Sequence, residues 1–135
     1  MSTDAPIQVV AAVVERSGTY LLCQREEGPH LSLKWEFPGG KIESGETPEA
    51  ALEREIAEEL GVACRVGLRV ADVTHAYPEK TVRIQFFRTR IEGDPIPHVH
   101  RRLAWVAPEN LDAFPAPPPN AVVLDRILAG ELDTH

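Results

Sequence analysis

Two rhythms of apolar residues alternate along this chain. Residues 7 to 14 (IQVVAAVV) and 19 to 24 (TYLLCQ) are apolar runs rich in strand-forming side chains, separated by a turn at Ser17–Gly18. They predict the two strands of a hairpin. After a loop with Gly28 and Pro29 comes a short extended segment, WEF at 35 to 37, which Pro38-Gly39-Gly40 breaks off. Residues 65 to 74 and 81 to 90 alternate well enough to be strands, and LAWV at 103 to 106 supplies a third candidate.

The period changes to helical only after Thr47. Leu52, Ile56 and Leu60 recur every four residues, Thr47 suits the N-cap, Pro48 the first helical position, and Gly61 the residue that stops the helix. Near the end, FPAPPPN at 114 to 120 predicts a rigid proline-rich loop, with Asn120 capping a last helix that reaches about Leu128. With no internal repeat and no linker, residues 1–135 are expected to form one mixed α/β domain with one central and one C-terminal helix.

Composition narrows the class without naming a function. A hydrophobic content of 43% and a charged content of 26% suit a soluble globular protein. No window approaches the roughly 18 apolar residues of a membrane span, and no basic segment precedes an apolar run at the start, so a cytoplasmic location is expected. Cys23 and Cys64 are too few and too far apart for a disulfide framework or a metal knuckle, and both sit among apolar neighbours as buried thiols do. The net charge of −7 argues against nucleic-acid polymers and anionic membranes as partners.

That charge is concentrated. Residues 41 to 60 hold seven glutamates against Lys41 and Arg54, a local charge of −5. On a helical wheel Glu55, Glu58 and Glu59 fall within about 100° of one another, roughly a quarter-turn from the apolar stripe. Glu55 and Glu59 form a like-charged i,i+4 pair, which costs about 0.2–0.5 kcal/mol in an exposed helix. Glu58 and Glu59 also occupy the last turn, where the helix dipole disfavours acids. A solvated face accounts for Glu49 and Glu53 but not for carboxylates clustered beside the core. A divalent cation converts their repulsion into coordination, and an all-oxygen set suits the hard ions Mg²⁺ or Mn²⁺. Mg²⁺ favours phosphate oxygens, which points to a phosphorylated substrate. Gly39-Gly40 lets backbone approach an ion or phosphate closely, and Lys41 adds a mobile positive charge. Without divalent ions, this helix should be the looser part of the domain.

Gly40, Glu46 and the run Arg54-Glu55-Ile56-Ala57-Glu58-Glu59-Leu60-Gly61-Val62 match the Nudix box at all nine defined positions over 23 residues. WEFPGGKIESGETPEAALEREIAEELG resembles the MutT-like subgroup in particular, and VVAAVVERSGTYLLCQR and LAWV extend the similarity along most of the chain. The resemblance implies an α/β/α sandwich around a mixed sheet and Mg²⁺-dependent hydrolysis of a nucleoside diphosphate linked to another moiety. Carried over by position, Glu55, Glu58 and Glu59 hold the metals, with the Gly39 carbonyl as a further ligand. Arg54 orients Glu55, and Glu46 braces the loop. Such metals draw charge from the diphosphate bridge and acidify water. Arg25 matches a phosphate-contacting arginine, Phe37 an aromatic beside the base, and Asn120 an amide that reads the base edge; core packing competes for Phe37 and helix capping for Asn120.

One position departs from the family pattern. Several MutT-like members carry a further glutamate before the Trp-containing strand, where this chain has Val99 inside HVHRR. Valine can neither ligate metal nor accept a proton, which leaves His98, His100 or a box glutamate as base. The leading expectation is a (deoxy)nucleoside triphosphate pyrophosphohydrolase acting on a small nucleotide, 8-oxo-dGTP among the candidates, as a monomer or homodimer. ADP-ribose or dinucleoside polyphosphate hydrolysis is the alternative within the enzyme class, although the short chain leans toward the triphosphate. A non-catalytic nucleotide-binding module is the alternative outside that class.

Overall fold

The computed structural model describes residues 5–131 of the chain. Strand β1 (Ile7–Val13) is central to a four-stranded mixed sheet. It pairs antiparallel with β5 (Gly39–Lys41) on one side and parallel with β7 (Thr81–Ile91) on the other, and β6 (Cys64–Ala76) closes the far edge antiparallel to β7. A second, antiparallel sheet is built on β3 (Thr19–Gln24). One edge of β3 is shared by β2 (Glu15–Arg16) and β4 (Trp35–Glu36), and β8 (Arg102–Val106) pairs along the other.

The two N-terminal apolar runs are therefore not hairpin partners. The hairpin through Ser17 and Gly18 joins β2 to β3, while β1 belongs to the other sheet and meets this one through a bond from Leu21 N–H to the Val14 carbonyl (3.0 Å). The reason lies in the continuity of the run. Val10, Ala12 and Val14 point to one face of β1, and Ala11 and Val13 to the other, all buried. A strand apolar on both faces needs a neighbour on each edge and cover on each face, which a hairpin does not supply.

Helix α1 (Pro48–Leu60) starts and stops as its sequence predicts. Thr47 Oγ1 accepts from Ala50 N–H (3.1 Å), and Gly61 takes the left-handed conformation (φ 68°) while its N–H bonds the Ala57 carbonyl (3.1 Å). Ala51, Leu52, Ile56 and Leu60 face the core and cover the Val10/Ala12/Val14 side of the sheet. Truncating fully buried Ile56 to Ala is expected to cost about 2–5 kcal/mol. The C-terminal carbonyls of Glu59 and Leu60, which a helix cannot satisfy itself, accept from His98 and Ile96 N–H at 2.9 Å each.

Helix α2 (Pro118–Leu128) covers the opposite face with Val123, Leu124 and Ile127, completing an α/β/α sandwich. Its start departs from expectation. The proline run enters the helix instead of preceding it as a loop: Pro118 occupies the first turn, where an N–H is dispensable. Asn120 thus lies within that turn, buried at 5% exposure, and caps nothing. A 3-10 helix at Pro108–Ala113, which no apolar rhythm announced, precedes it. Nor is Pro38-Gly39-Gly40 purely a breaker, since both glycines are in β5. A Cβ on Gly39 would collide with the Val10 carbonyl and lie 2.8 Å from Ala11 Cα, so only glycine lets β5 approach β1 this closely.

Candidate active site

Arg54 organises the acidic helix. Its guanidinium is bidentate to Glu46 (Nε to Oε2 2.7 Å, Nη2 to Oε1 2.9 Å), Nη1 bonds Glu55 Oε1 (2.6 Å) and Glu58 Oε1 (2.9 Å), and Nη2 also reaches the Lys41 carbonyl (3.0 Å). All five donors of the fork are used. Glu46 in turn accepts from Glu43 N–H (2.8 Å), which ties the loop to the helix as the bracing role requires. These bonds hold the Glu46 carboxyl down at about 2, chiefly through Arg54. Glu49 and Glu53 face solvent.

Strand β5 presents the other wall. Bonds from Ala12 N–H to Pro38 O and from Ile42 N–H to Gln8 O fix the antiparallel register, so Gly40 pairs with β1 while the polar backbone groups of Gly39 and Lys41 turn to the free edge. There Gly39 N–H donates to Glu59 Oε1 (3.3 Å), just as the Lys41 carbonyl accepts from Arg54. A Cβ on Gly40 would fall on the Glu55 carboxylate. Glu59 is sheltered, and burial first, then the neighbouring Glu55 and Glu36 carboxylates, push it up to about 8.

Glu59 and Gly39 open onto a cleft of about 530 Å³ lined also by Arg25, Glu36, Val99, His100 and the 26–30 loop. Glu36, to which sequence reasoning assigned no role, is held from two sides. Arg25 Nη1 bonds Oε1 (3.1 Å), and His100 Nε2 lies 3.1 Å from Oε2. The available signal was a lone carboxylate between two aromatics in WEF, a strand position where packing alone would prefer an apolar residue. Of the two loop histidines only His100 reaches the cleft; the His98 ring packs against Gly61 at the end of α1. Val99 lines the cleft and is 55% exposed.

A second, largely apolar pocket of about 150 Å³ adjoins the first and shares Arg25, His30 and Glu36 with it. Its walls include Val9, Tyr77, Ile84, Lys41 and Asn120. Asn120 Oδ1 accepts from Phe37 N–H (3.0 Å), which leaves the amide NH₂ without a partner among the described residues. Arg25, Lys41 and Asn120 are thus brought to one place. Phe37 is not: it is 3% exposed and packs edge-on against Phe86 at 5.9 Å in the core, so of the two expectations for its ring the structure favours core packing over a place beside the base.

The residues present fit a hard divalent ion. Glu55, Glu58, Glu59 and the free-edge Gly39 carbonyl would offer it oxygen donors alone, and the glycine at 40 leaves the space that the Glu55 carboxylate fills. Among the described residues no three acidic, cysteine or histidine side chains are gathered closely enough to hold a metal ion by themselves. An open arrangement suits Mg²⁺, which retains waters and takes phosphate oxygens as ligands.

Comparison with known proteins places this geometry in a lineage. The NUDIX domain family model matches residues 9–126. The CTP pyrophosphohydrolase of Escherichia coli K12 is 35% identical over 124 residues, covering 91% of this chain and 92% of that protein. The 8-oxo-dGTP diphosphatase of Haemophilus influenzae is 36% identical over 124 residues, covering 90% and 91%. Among solved structures, the MutT NUDIX hydrolase of Burkholderia pseudomallei superposes with a TM-score of 0.81 at 26% identity, covering 92% of this chain and 99% of its own. The E. coli ORF135 protein does so with a TM-score of 0.79 at 34% identity, covering 91% and 89%. The similarity spans both sheets and both helices as well as the acidic box, and the chain belongs to the Nudix family, in its MutT-like branch.

Proposed function

We propose that the protein hydrolyses a (deoxy)nucleoside triphosphate to the monophosphate and pyrophosphate, with Mg²⁺, or Mn²⁺ in its place, held by Glu55, Glu58, Glu59 and the Gly39 carbonyl. The observation that carries this reading is the pair of adjoining cavities. A polar cleft lined by Glu59 and Gly39 meets an apolar pocket beside Asn120, and Arg25 and Glu36 stand at the junction. A nucleotide has the same division into charged tail and flat, edge-polar base. The E. coli and H. influenzae relatives, named for action on CTP and on 8-oxo-dGTP, support the triphosphate class.

When bound, the divalent ion supplies charge neutralisation of the diphosphate and acidifies water. The chain's own residues do the rest. Arg54 holds Glu55 and Glu58 in place, Arg25 faces the phosphates, and Lys41 adds charge at the rim of the apolar pocket. The proton acceptor in this reading is a box carboxylate, since Val99 cannot serve, His98 packs at the end of α1 and His100 is engaged with Glu36. Asn120 reads the base with the NH₂ that Phe37 leaves free, so it seeks an acceptor such as the O6 of a guanine-type base. That preference keeps 8-oxo-dGTP in the substrate panel. No helix among the described residues is long and apolar enough to cross a membrane, and a nucleotide-pool enzyme belongs in the cytoplasm.

The test is a hydrolysis screen over (d)NTPs, 8-oxo-dGTP, ADP-ribose and dinucleoside polyphosphates with product identification. Pyrophosphate release from a triphosphate, lowered by orders of magnitude in Glu58→Gln, is expected. Faster turnover of ADP-ribose or dinucleoside polyphosphates would replace the substrate assignment, and undiminished turnover in Glu58→Gln would sink the metal-site assignment. Binding without turnover across the panel would point to a non-catalytic module.

A further inference from the structure

We propose that His100 is a positioning residue that fixes the Glu36 carboxylate as a hydrogen-bond acceptor for the nucleotide, at the point between its base and its phosphates. This rests on the nucleotide reading above and sharpens it. Glu36 lines both cavities, so a ligand spanning them passes its carboxylate. Its backbone is anchored: Cys23 pairs with Glu36 across the sheet, and the preceding Trp35 donates its N–H to the Pro115 carbonyl (2.7 Å) and packs edge-on against Phe114.

The carboxylate is gripped at both oxygens, Oε1 by Arg25 and Oε2 by His100. An ionised carboxylate offers about four lone-pair sites. Two are taken, and the remaining pair faces donors on the ligand, an amine or a hydroxyl. Glu36 is therefore a fixed acceptor that selects for such a group.

His100 is built for this one bond. Its side chain is 6% exposed, and its Nδ1 is buried with no hydrogen-bond partner among the described residues. The ring's one polar contact is at Nε2, which donates its N–H to Glu36, while a proton on Nδ1 would be buried without an acceptor. The backbone on either side is tied down. His98 N–H bonds the Glu59 carbonyl (2.9 Å), and Arg101 N–H bonds the Gln24 carbonyl (2.9 Å). His100 is strung between the end of α1 and the end of β3 and has little freedom to turn away.

Steady-state kinetics of His100→Ala, His100→Gln, Glu36→Gln and the His100→Ala/Glu36→Gln double variant test the proposal. Substrates should be compared in pairs that differ by one donor: ribose against deoxyribose, and amino against oxo bases. For the donor-bearing partner, His100→Ala and Glu36→Gln should each raise KM about tenfold, the scale of one charge-assisted hydrogen bond, with kcat little changed. The double variant should be no worse than either single one, because both remove the same interaction. His100→Gln, which keeps a donor, should recover most of the loss.

Additive effects in the double variant, a fall in kcat without a change in KM, or failure of His100→Gln to rescue would each overturn the positioning role. Nitrogen-15 NMR of the imidazoles gives an arm independent of turnover. It should show His100 as the Nε2–H tautomer, perturbed by Glu36→Gln; an Nδ1–H tautomer would refute the pair. Absence of both turnover and binding on every nucleotide would sink the nucleotide reading, while the NMR result still decides the His100–Glu36 bond.

Discussion

Gly39 and Gly40 are adjacent, both half-buried and both in β5, yet replacing each by alanine should give opposite phenotypes. A Cβ on Gly39 would meet backbone, colliding with the Val10 carbonyl and lying 2.8 Å from Ala11 Cα and 2.9 Å from Val10 C. Backbone in a paired ladder cannot step aside, so β5 must move off β1. Overpacking of this kind costs about 1–3 kcal/mol and sometimes more. We take about 3 kcal/mol for Gly39→Ala, and at about 3–5 °C per kcal/mol in a domain of this size the midpoint falls by roughly 10 °C or more.

A Cβ on Gly40 would meet only the flexible end of Glu55. The carboxylate can swing away, at the expense of its bond to Arg54, while the other four bonds of that guanidinium persist. A partly sheltered ion pair of this kind is worth about 1 kcal/mol or less, so Tm should fall by no more than about 4 °C. Turnover should nevertheless drop about 10–100-fold, because a carboxylate of the proposed metal set has been displaced. Thermal melts read by circular dichroism, paired with pyrophosphate release at saturating Mg²⁺, separate the two effects. Full activity in a well-folded Gly40→Ala protein would refute the placement of Glu55 in the machinery. Equal destabilisation by both substitutions would refute the distinction between backbone and side-chain clashes.

The remaining expectations concern single groups. Glu46 sits at about 2, below its ordinary 4.5, so the stability it lends is complete above pH 4.5 and is lost as pH falls from there toward 2. Acid melts of Glu46→Gln should lack that part of the transition, and an unchanged acid limb would refute the pairing. Glu59 is shifted the other way, to about 8, so the metal-free protein should lose stability as pH rises from 4.5 through 8. Glu59→Gln should flatten that slope and raise the metal-free Tm while lowering turnover at least about 100-fold; a lower Tm would show that the buried charge is not a burden. Asn120→Ala leaves the Phe37 N–H buried and unpaired and should cost about 1–3 kcal/mol in denaturant titrations. Asn120→Asp keeps that bond but loses the free NH₂, so preference should shift toward bases that present an amine, as competition assays would show.

The acidic helix was legible because its signals are local. Cap, apolar stripe and C-terminal glycine all act within one or two turns, and the structure bears out each of them. The pairing of β1 was not, because a continuous apolar run says that a strand is buried on both faces without saying which strands flank it. Prolines 117 to 119 looked like a loop since proline resists helix interiors, but the same residue suits a first turn, and only the packing of α2 decides between the two. Glu36 and His100 lie 64 residues apart in sequence, and their meeting depends on how β4 and the segment before β8 flank β3. The box could be found from spacing; the junction between the cavities had to be folded to be seen.

The five-fold use of Arg54 has a consequence for how the protein lives with metal. A chain with seven glutamates between residues 43 and 59 would be expected to scavenge any cation it meets. Instead Glu55 and Glu58 come with an internal counter-ion already in contact, so part of their charge is answered before any cation arrives. Carboxylates neutralised in this way would hold a lone ion weakly and would favour one that arrives already bound to a phosphate tail. On the proposed metal set, the protein should survive chelators folded and take its ion together with the substrate.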